Sequence, residues 1–422
     1  MNKLHLELIN KINNLSLDVY KIYNQVVRTP INWKLERKRL LENNKSRTLW
    51  KYDVPSNLEK SLEQLKHLNK QLQTKKVSFN HSIYSKFLLD VVNATIKTAV
   101  IKIQILQQLK SKNFKSTIKL REDFFNLNYD YSNVEKRYKN LFSNPKIGKI
   151  GKELGRQELL PSEATKIIQT SMQNIKKKID KVILFPNKFK KDILHEFTAK
   201  VEIIDDPSFS MRCITDPKTL ATKILLNKNR KYSKSLLKIA FLHEFCGHAL
   251  EMAIFDGTLI KKYKLPKIFG YAGVSSPNIF DVKAEVFADL MVEPFISKEE
   301  EKFVEYRRNV WLMCRAMADY LYHIKGKTIF DVMKIYQSVG LGDFAFDEAI
   351  MTSIFIDGYQ GMYLFANEEI ERLKDRVKIT NNEFLTLLLF LGKIPVNKFS
   401  KFSKYWKMID IFTRSRSFVK ID

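Results

Sequence analysis

His243-Glu244-Phe245-Cys246-Gly247-His248 lies between two apolar runs, Leu236-Leu237-Lys238-Ile239-Ala240-Phe241-Leu242 before it and Ala249-Leu250-Glu251-Met252-Ala253 after it. Both runs permit helix, so the whole reads as one buried helix. Two imidazoles with a carboxylate beside the first form a donor set for Zn²⁺ and a base for an activated water. The spacing is H-E-x-x-x-H, one residue longer than H-E-x-x-H. Histidines four apart on an α-helix are separated by roughly 40° about the axis, and five apart by roughly 140°. A shared metal therefore requires a one-residue π-bulge or a bend between His243 and His248. Gly247 sits where backbone freedom would help.

Downstream, Lys283-Ala284-Glu285-Val286-Phe287-Ala288-Asp289 places two carboxylates four apart on a second helical segment. Glu285 is the candidate third ligand. Asp289, one turn on, can orient a ligand imidazole through its other ring nitrogen. His195-Glu196-Phe197 begins like the motif and has no second histidine in reach. Cys246, inside the motif, reads as a neutral filler on the far side of the helix.

These residues resemble those of the gluzincin metallopeptidases, which use two motif histidines and a downstream glutamate. The H-E-x-x-x-H variant is similar to the microtubule-associated tyrosine carboxypeptidases and their bacterial relatives. A second resemblance is to a large bacterial family with H-E-G-x-P-G-H-H-L-Q. Gly247, His248 and Leu250 match it, with one residue fewer between the histidines and no proline. That family's E-G-W-A-L-Y-A-E segment resembles Glu285-Val286-Phe287-Ala288. Its R-x-x-x-D-x-x-x-H helix is matched by Arg315, Asp319 and His323, and its tyrosine-glycine segment by Gly358-Tyr359-Gln360-Gly361. The matching order covers about residues 160–375. The resemblance implies a gluzincin-like catalytic domain and hydrolysis of peptide bonds by a metal-activated water, with Glu244 as general base.

Composition sets the outer limits. A chain of 422 residues at 45% hydrophobic can build more than one domain. It shows no apolar run of membrane-spanning length, and its charged start lacks a signal-peptide core. Cys213, Cys246 and Cys314 are too few for a disulfide framework. These features predict a cytoplasmic protein. Residues 1–200 hold 40 Lys and Arg against 18 Asp and Glu, a net of +22, and the remainder carries +5. The basic half suits an acidic partner, or it reflects a Lys- and Asn-rich composition alone. Without stacking aromatics at regular spacing or a nucleic-acid motif, no specific nucleic-acid partner is expected, and none in a membrane.

Helix dominates the pattern. Leu4, Leu8, Ile12 and Leu15 recur at helical spacing, as do Leu58, Leu62, Leu65, Leu68 and Leu72 behind Pro55 and Ser56. Residues 82–111 carry a long apolar pattern, and Leu160-Pro161-Ser162-Glu163 opens a helix toward Lys181. Three short β-rich runs follow: Val182–Phe185, Lys200–Ile204 and Thr222–Leu226. The last would be a sheet edge that binds an extended peptide, or an ordinary covered strand. The fold class is thus mainly α with a small antiparallel sheet (α+β). A basic helical N-terminal domain, 1–155, precedes a gluzincin-like domain, 156–422. The boundary is drawn at Asn144-Pro145 to Gly155, where Gly148, Gly151 and Gly155 cluster. The Gly-rich stretch from Asp256 to Phe280 reads as a lid, a binding wall or a connector.

Arg315, Asp319 and His323 fall at i, i+4 and i+8. They form a stacked ion-pair chain or line the cleft, where Arg315 would fork onto a substrate carboxylate and His323 would donate. In the mechanism implied, His243, His248 and Glu285 hold zinc and Glu244 accepts the water's proton. Asp289 fixes the first histidine, and Tyr359 or its neighbour one turn on, Tyr363, stabilises the oxyanion. The resulting function is a zinc peptidase, with a carboxypeptidase as its narrower form. The alternatives are a metal-binding non-peptidase (another amide hydrolase, or an iron oxygenase) and an inactive basic interaction protein.

Overall fold

The computed structural model describes residues 3–27, 55, 58–74, 83–141, 146–154, 158–205, 211–228, 232–272, 278–342 and 344–399. The expected boundary at 155/156, Ser56 and the Gly273–Pro277 stretch lie outside them. The fold is α+β and mainly helical, and the strands among the described residues are small and lie in the middle of the chain. Among the described residues, no helix is long and apolar enough to cross a membrane.

The helical periods translate directly. Helix Lys3–Val27 buries Leu8, Ile12, Val19 and Tyr23, and pairs with Ile83–Lys110. Leu58–Thr74 closes the group by burying Leu58 and Leu65. Gly148 and Gly151, from the glycine cluster at the expected boundary, lie in helix Lys146–Leu154. A Cβ on Gly151 would fall 2.2 Å from the Val339 carbonyl oxygen. Here glycine serves close helix-to-turn contact, not chain freedom.

Among the described residues five strands form: β1 (Glu158–Leu159), β2 (Lys200–Ile204), β3 (Met211–Thr215), β4 (Thr222–Asn227) and β5 (Tyr232–Ser233). β1 and β5 make a two-residue antiparallel pair. The main sheet runs β2-β4-β3, with β2 parallel and β3 antiparallel to β4, so it is mixed rather than purely antiparallel. The strand before the motif helix, β4, lies at the centre of this sheet. Among the described residues β2 and β3 are its edges, and in β3 the buried Met211, Cys213 and Thr215 alternate with half-exposed neighbours. Val182–Phe185 makes no strand. Ile179–Lys181 is a 3₁₀ turn, and its local bonds, including Ile183 N–H to the Ile179 carbonyl at 2.9 Å, consume the backbone just before Pro186.

The two halves of the chain share buried polar contacts. Arg121, on helix Ile118–Phe125, forks onto Asp319 with both bonds at 2.9 Å, and both side chains are fully buried. The Tyr131 hydroxyl donates to the same carboxylate. Burial alone would raise the Asp319 pKa, but the Arg121 guanidinium outweighs it and holds the carboxyl below its ordinary range. This contribution to stability is complete above the unfolded carboxylate pKa of about 4, and drains as pH falls through the lowered folded value. Asp319→Asn leaves a buried guanidinium uncompensated. Urea unfolding at pH 7 is expected to show a loss of about 3–5 kcal/mol, and the gap to the parent protein is expected to narrow below about pH 4.

Candidate metal centre

The motif helix begins at Ser233, whose hydroxyl accepts the Leu236 N–H at 3.1 Å. It runs as α-helix over Lys234–Leu242 and as π-helix over His243–Ala249. A short α turn, Leu250–Met252, leads to a second π segment, Ala253–Ile260. An i→i+5 turn brings residues five apart onto one side. The His243 and His248 rings accordingly stand 5.0 Å apart between centroids, at 80° to each other.

Glu285 approaches both from helix Asp281–Leu290, the ligand helix. Its Oε2 lies 3.1 Å from His243 Nε2 and 3.5 Å from His248 Nε2. One donor atom from each of the three residues lies within 4.8 Å of the others, a group able to hold a metal ion. Gly247 permits this approach. A Cβ there would sit 2.4 Å from Ala288 Cβ and 2.5 Å from its Cα. The glycine is needed because the ligand helix touches the motif helix at that point, rather than for freedom of its own backbone.

Asp289 Oδ1 lies 2.7 Å from His243 Nδ1. An ionised carboxylate only accepts, so Nδ1 carries a proton, and Nε2 is the ring atom that faces Glu285 and His248. Burial would raise the Asp289 pKa, but Arg307, which also bonds Oδ1, and His243 hold it at about 2. Burial would likewise lower the His248 pKa, yet Glu285 outweighs it and pushes the group up to about 10. The pocket therefore favours positive charge between the imidazoles and Glu285. A divalent cation held by two imidazole nitrogens and one carboxylate meets that demand, and the donor set suits zinc.

Glu244 is half-buried beside the triad. Burial raises its pKa, against the pull of His248 and His243. Its Oε2 accepts the Cys213 backbone N–H from β3 at 2.8 Å. Tyr359 opens helix Tyr359–Val377, behind Gly358 at φ +87°, a left-handed conformation that suits glycine. Its hydroxyl donates to Glu285 Oε1 at 2.6 Å, and the Tyr363 hydroxyl donates to the Tyr359 oxygen at 3.1 Å. An oxyanion role for either tyrosine requires a hydroxyl to leave its present acceptor.

Arg315, Asp319 and His323 each bond a partner outside the trio. Arg315 forks onto Glu348 at 2.8 and 3.0 Å, with its guanidinium 5.4 Å from the Tyr363 ring centre and 5.6 Å from that of Trp311. His323 Nε2 donates to the Thr352 carbonyl at 2.7 Å. The helix carrying them changes to π at Arg307–Trp311 and again at Tyr320–Ile324. Cys246 is fully buried, its thiol pushed up by burial, and it stands outside the ligand group. The Asp256–Phe280 stretch starts as helix, and Asp256 then accepts the Tyr271 N–H at 3.0 Å. Sequence reasoning missed Arg307 and the Cys213 N–H. Only the need of a buried Asp289 for a counter-charge pointed to the former.

No protein-family model and no curated protein matches the chain. A solved structure from Colwellia psychrerythraea, described as a lipoprotein, aligns with a TM-score of 0.53 at 12% identity, over 94% of this chain and 75% of that one. That likeness is one of fold. A Shewanella oneidensis protein described as a lipoprotein of unknown function aligns at a TM-score of 0.45 and 14% identity, over 90% of this chain and 80% of its own. A Bacillus anthracis protein described as an oligoendopeptidase F aligns at 0.35 and 13%, over 98% and 86%.

Gly247→Ala forces the motif and ligand helices apart. The expected cost is about 1–3 kcal/mol of overpacking, read as a lowered thermal midpoint. The folded variant is expected to bind zinc more weakly than the parent in a chelator competition, because Glu285 moves with its helix.

Proposed function

We propose that the chain is a zinc-dependent peptidase. The observation that carries this reading is the convergence of His243, His248 and Glu285 beside the Glu244 carboxylate. Zinc at such a site brings the pKa of its water toward about 7 and polarises a carbonyl oxygen.

The chain's own residues supply the rest. Glu244 accepts a proton and returns it to the leaving amine, and a pKa raised by burial suits a base working near neutrality. The Cys213 N–H holds Oε2 and fixes the direction of the carboxylate. Asp289 and Arg307 fix the His243 ring, and Tyr359 fixes Glu285. The edge strand β3 supports a peptide as substrate. Cys213 turns its N–H away from β4, so the antiparallel alternation directs the backbone groups of Met211 and Thr215 to that same side. An extended peptide pairing there would pass alongside Glu244.

A carboxypeptidase needs a cation for the terminal carboxylate. Arg315 fills that place in our reading, with Glu348 occupying the guanidinium fork until a substrate carboxylate replaces it.

Metal analysis and a peptide library test both levels. The parent is expected to hold about one zinc per chain and His248→Ala to lose most of it. Glu244→Gln is expected to keep the metal while turnover falls about 10²-fold. Full metal retention in both His243→Ala and His248→Ala would overturn the site. Peptides with a free C-terminus are expected to be cut faster than their amides. Equal cleavage of both at an internal bond would replace the carboxypeptidase with an endopeptidase.

A further inference from the structure

We infer that the N-terminal half is a working part of the metal centre: Tyr23, Ser116, Arg121 and Tyr129 fix the turn that delivers the Tyr359 hydroxyl to Glu285. The inference rests on the metal-centre reading above and concerns positioning residues, none of which touches the proposed ion.

The turn is Phe355–Gly358, which leads into the helix that begins at Tyr359. Its last three residues each meet a residue from the first 130 positions. The Tyr23 hydroxyl donates to Asp357 Oδ2 at 2.8 Å, while Asp357 Oδ1 accepts the Tyr359 N–H at 3.1 Å. One buried carboxylate thus links the first helix of the chain to the residue that holds the ligand. Ser116 donates to the Ile356 carbonyl at 2.8 Å, and Arg121 Nη1 donates to Ser116 Oγ at 2.7 Å. The Tyr129 hydroxyl donates to the Gly358 carbonyl at 3.5 Å.

Steric contact reinforces the bonds. A Cβ on Gly358 would fall 2.4 Å from Arg121 Cγ, so the arginine stem lies directly on the turn. One turn into the helix, a Cβ on Gly361 would stand 3.0 Å from Asp319 Oδ2 and 3.2 Å from the Tyr131 hydroxyl. Phe125 packs against the Tyr359 ring at 6.4 Å between centroids. Tyr359 therefore projects from a short segment held from the N-terminal side, and its 2.6 Å bond to Glu285 depends on where that segment sits. A hydrogen bond of this length tolerates little displacement. Groups that orient ligand carboxylates typically affect metal affinity by about 10- to 100-fold.

A supporting role in stability alone would act equally whether or not Tyr359 bears its hydroxyl, and a double-mutant cycle separates the two cases. Zinc affinity is measured by competition with a chromophoric chelator on four full-length proteins: the parent, Tyr359→Phe, Tyr23→Phe with Ser116→Ala, and all three substitutions together. Thermal unfolding checks that each is folded. Tyr359→Phe is expected to weaken zinc binding about 10-fold. The Tyr23 and Ser116 pair is expected to weaken it about 3- to 10-fold in the parent and less than about 2-fold in the Tyr359→Phe background, since both act through the same bond. Equal losses in both backgrounds, or parent affinity in the folded pair variant, would overturn the inference. If the pair variant does not fold, Ser116→Ala alone goes through the same cycle: a loss confined to the parent background supports the inference, and an equal loss or none overturns it. A parent that binds no zinc overturns the metal reading itself, and this inference with it.

Discussion

The contact between Gly247 and Ala288 sets the geometry on which the candidate site depends. Two helices normally pack with axes 8–10 Å apart, at a distance set by the side chains between them. Here one side chain is absent and its neighbour is a methyl group, with less room than a Cβ needs. Only that approach lets a glutamate as short-reached as Glu285 lie between two imidazoles on the other helix. The π turn solves the complementary problem. It keeps Gly247 against the ligand helix while bringing His243 and His248 to one side. Bulge and glycine are two halves of one arrangement, since closing the helix to an α turn would rotate one histidine away even with Gly247 in place.

Much of this is legible in the chain. The amphipathic spacing of Leu8, Ile12 and their successors is read correctly because burial against a neighbouring helix enforces that period. A departure from the α-helix is legible because a five-residue spacing needs a π-bulge or a bend before both imidazoles face one target, and the structure takes the π form. What stays hidden is set by partners distant in sequence. Val182–Phe185 has the composition of a strand, yet local turns use its backbone and no ladder neighbour is offered. Met211–Thr215 has a weaker strand composition, with Arg212 and Cys213, but finds β4 and becomes the edge beside the motif helix. Gly247 illustrates the limit in one residue. The sequence marks a glycine, whereas only the structure shows whether conformation or proximity requires it.

The same limit applies to Arg315, Asp319 and His323. Their spacing suggests one ladder on one helix face, but the helix turns from α to π after Asp319, which changes its phase before His323. Arg315 and His323 meet the same helix, Phe344–Ile354, at Glu348 and at the Thr352 carbonyl, while Asp319 meets Arg121. These contacts join positions 29, 33 and 198 apart. The Arg121–Asp319 pair is fully desolvated, so it is a poor source of net stability but a strong determinant of register. A mismatch would strand a charge in the core.

Charge accounting within the site gives these contacts their sense. Asp289 is a largely buried carboxylate beside His243, and Arg307 balances it. Arg121 balances Asp319, and Arg315 balances Glu348. Lys283, two residues before Glu285 on the same helix, is turned to the other side and pairs with Glu251. Glu285 differs from these carboxylates. Its neighbours in the structure are two imidazoles and a tyrosine hydroxyl, none of which carries a permanent positive charge. An ionised carboxylate that deep is expensive without a compensating cation. Arg307, Arg121 and Arg315 each have a carboxylate of their own, so the balance for Glu285 falls to the two imidazoles and what they hold. A divalent ion there would leave the imidazoles neutral and Glu285 compensated, which is the charge state that the surrounding pairs are arranged to leave open.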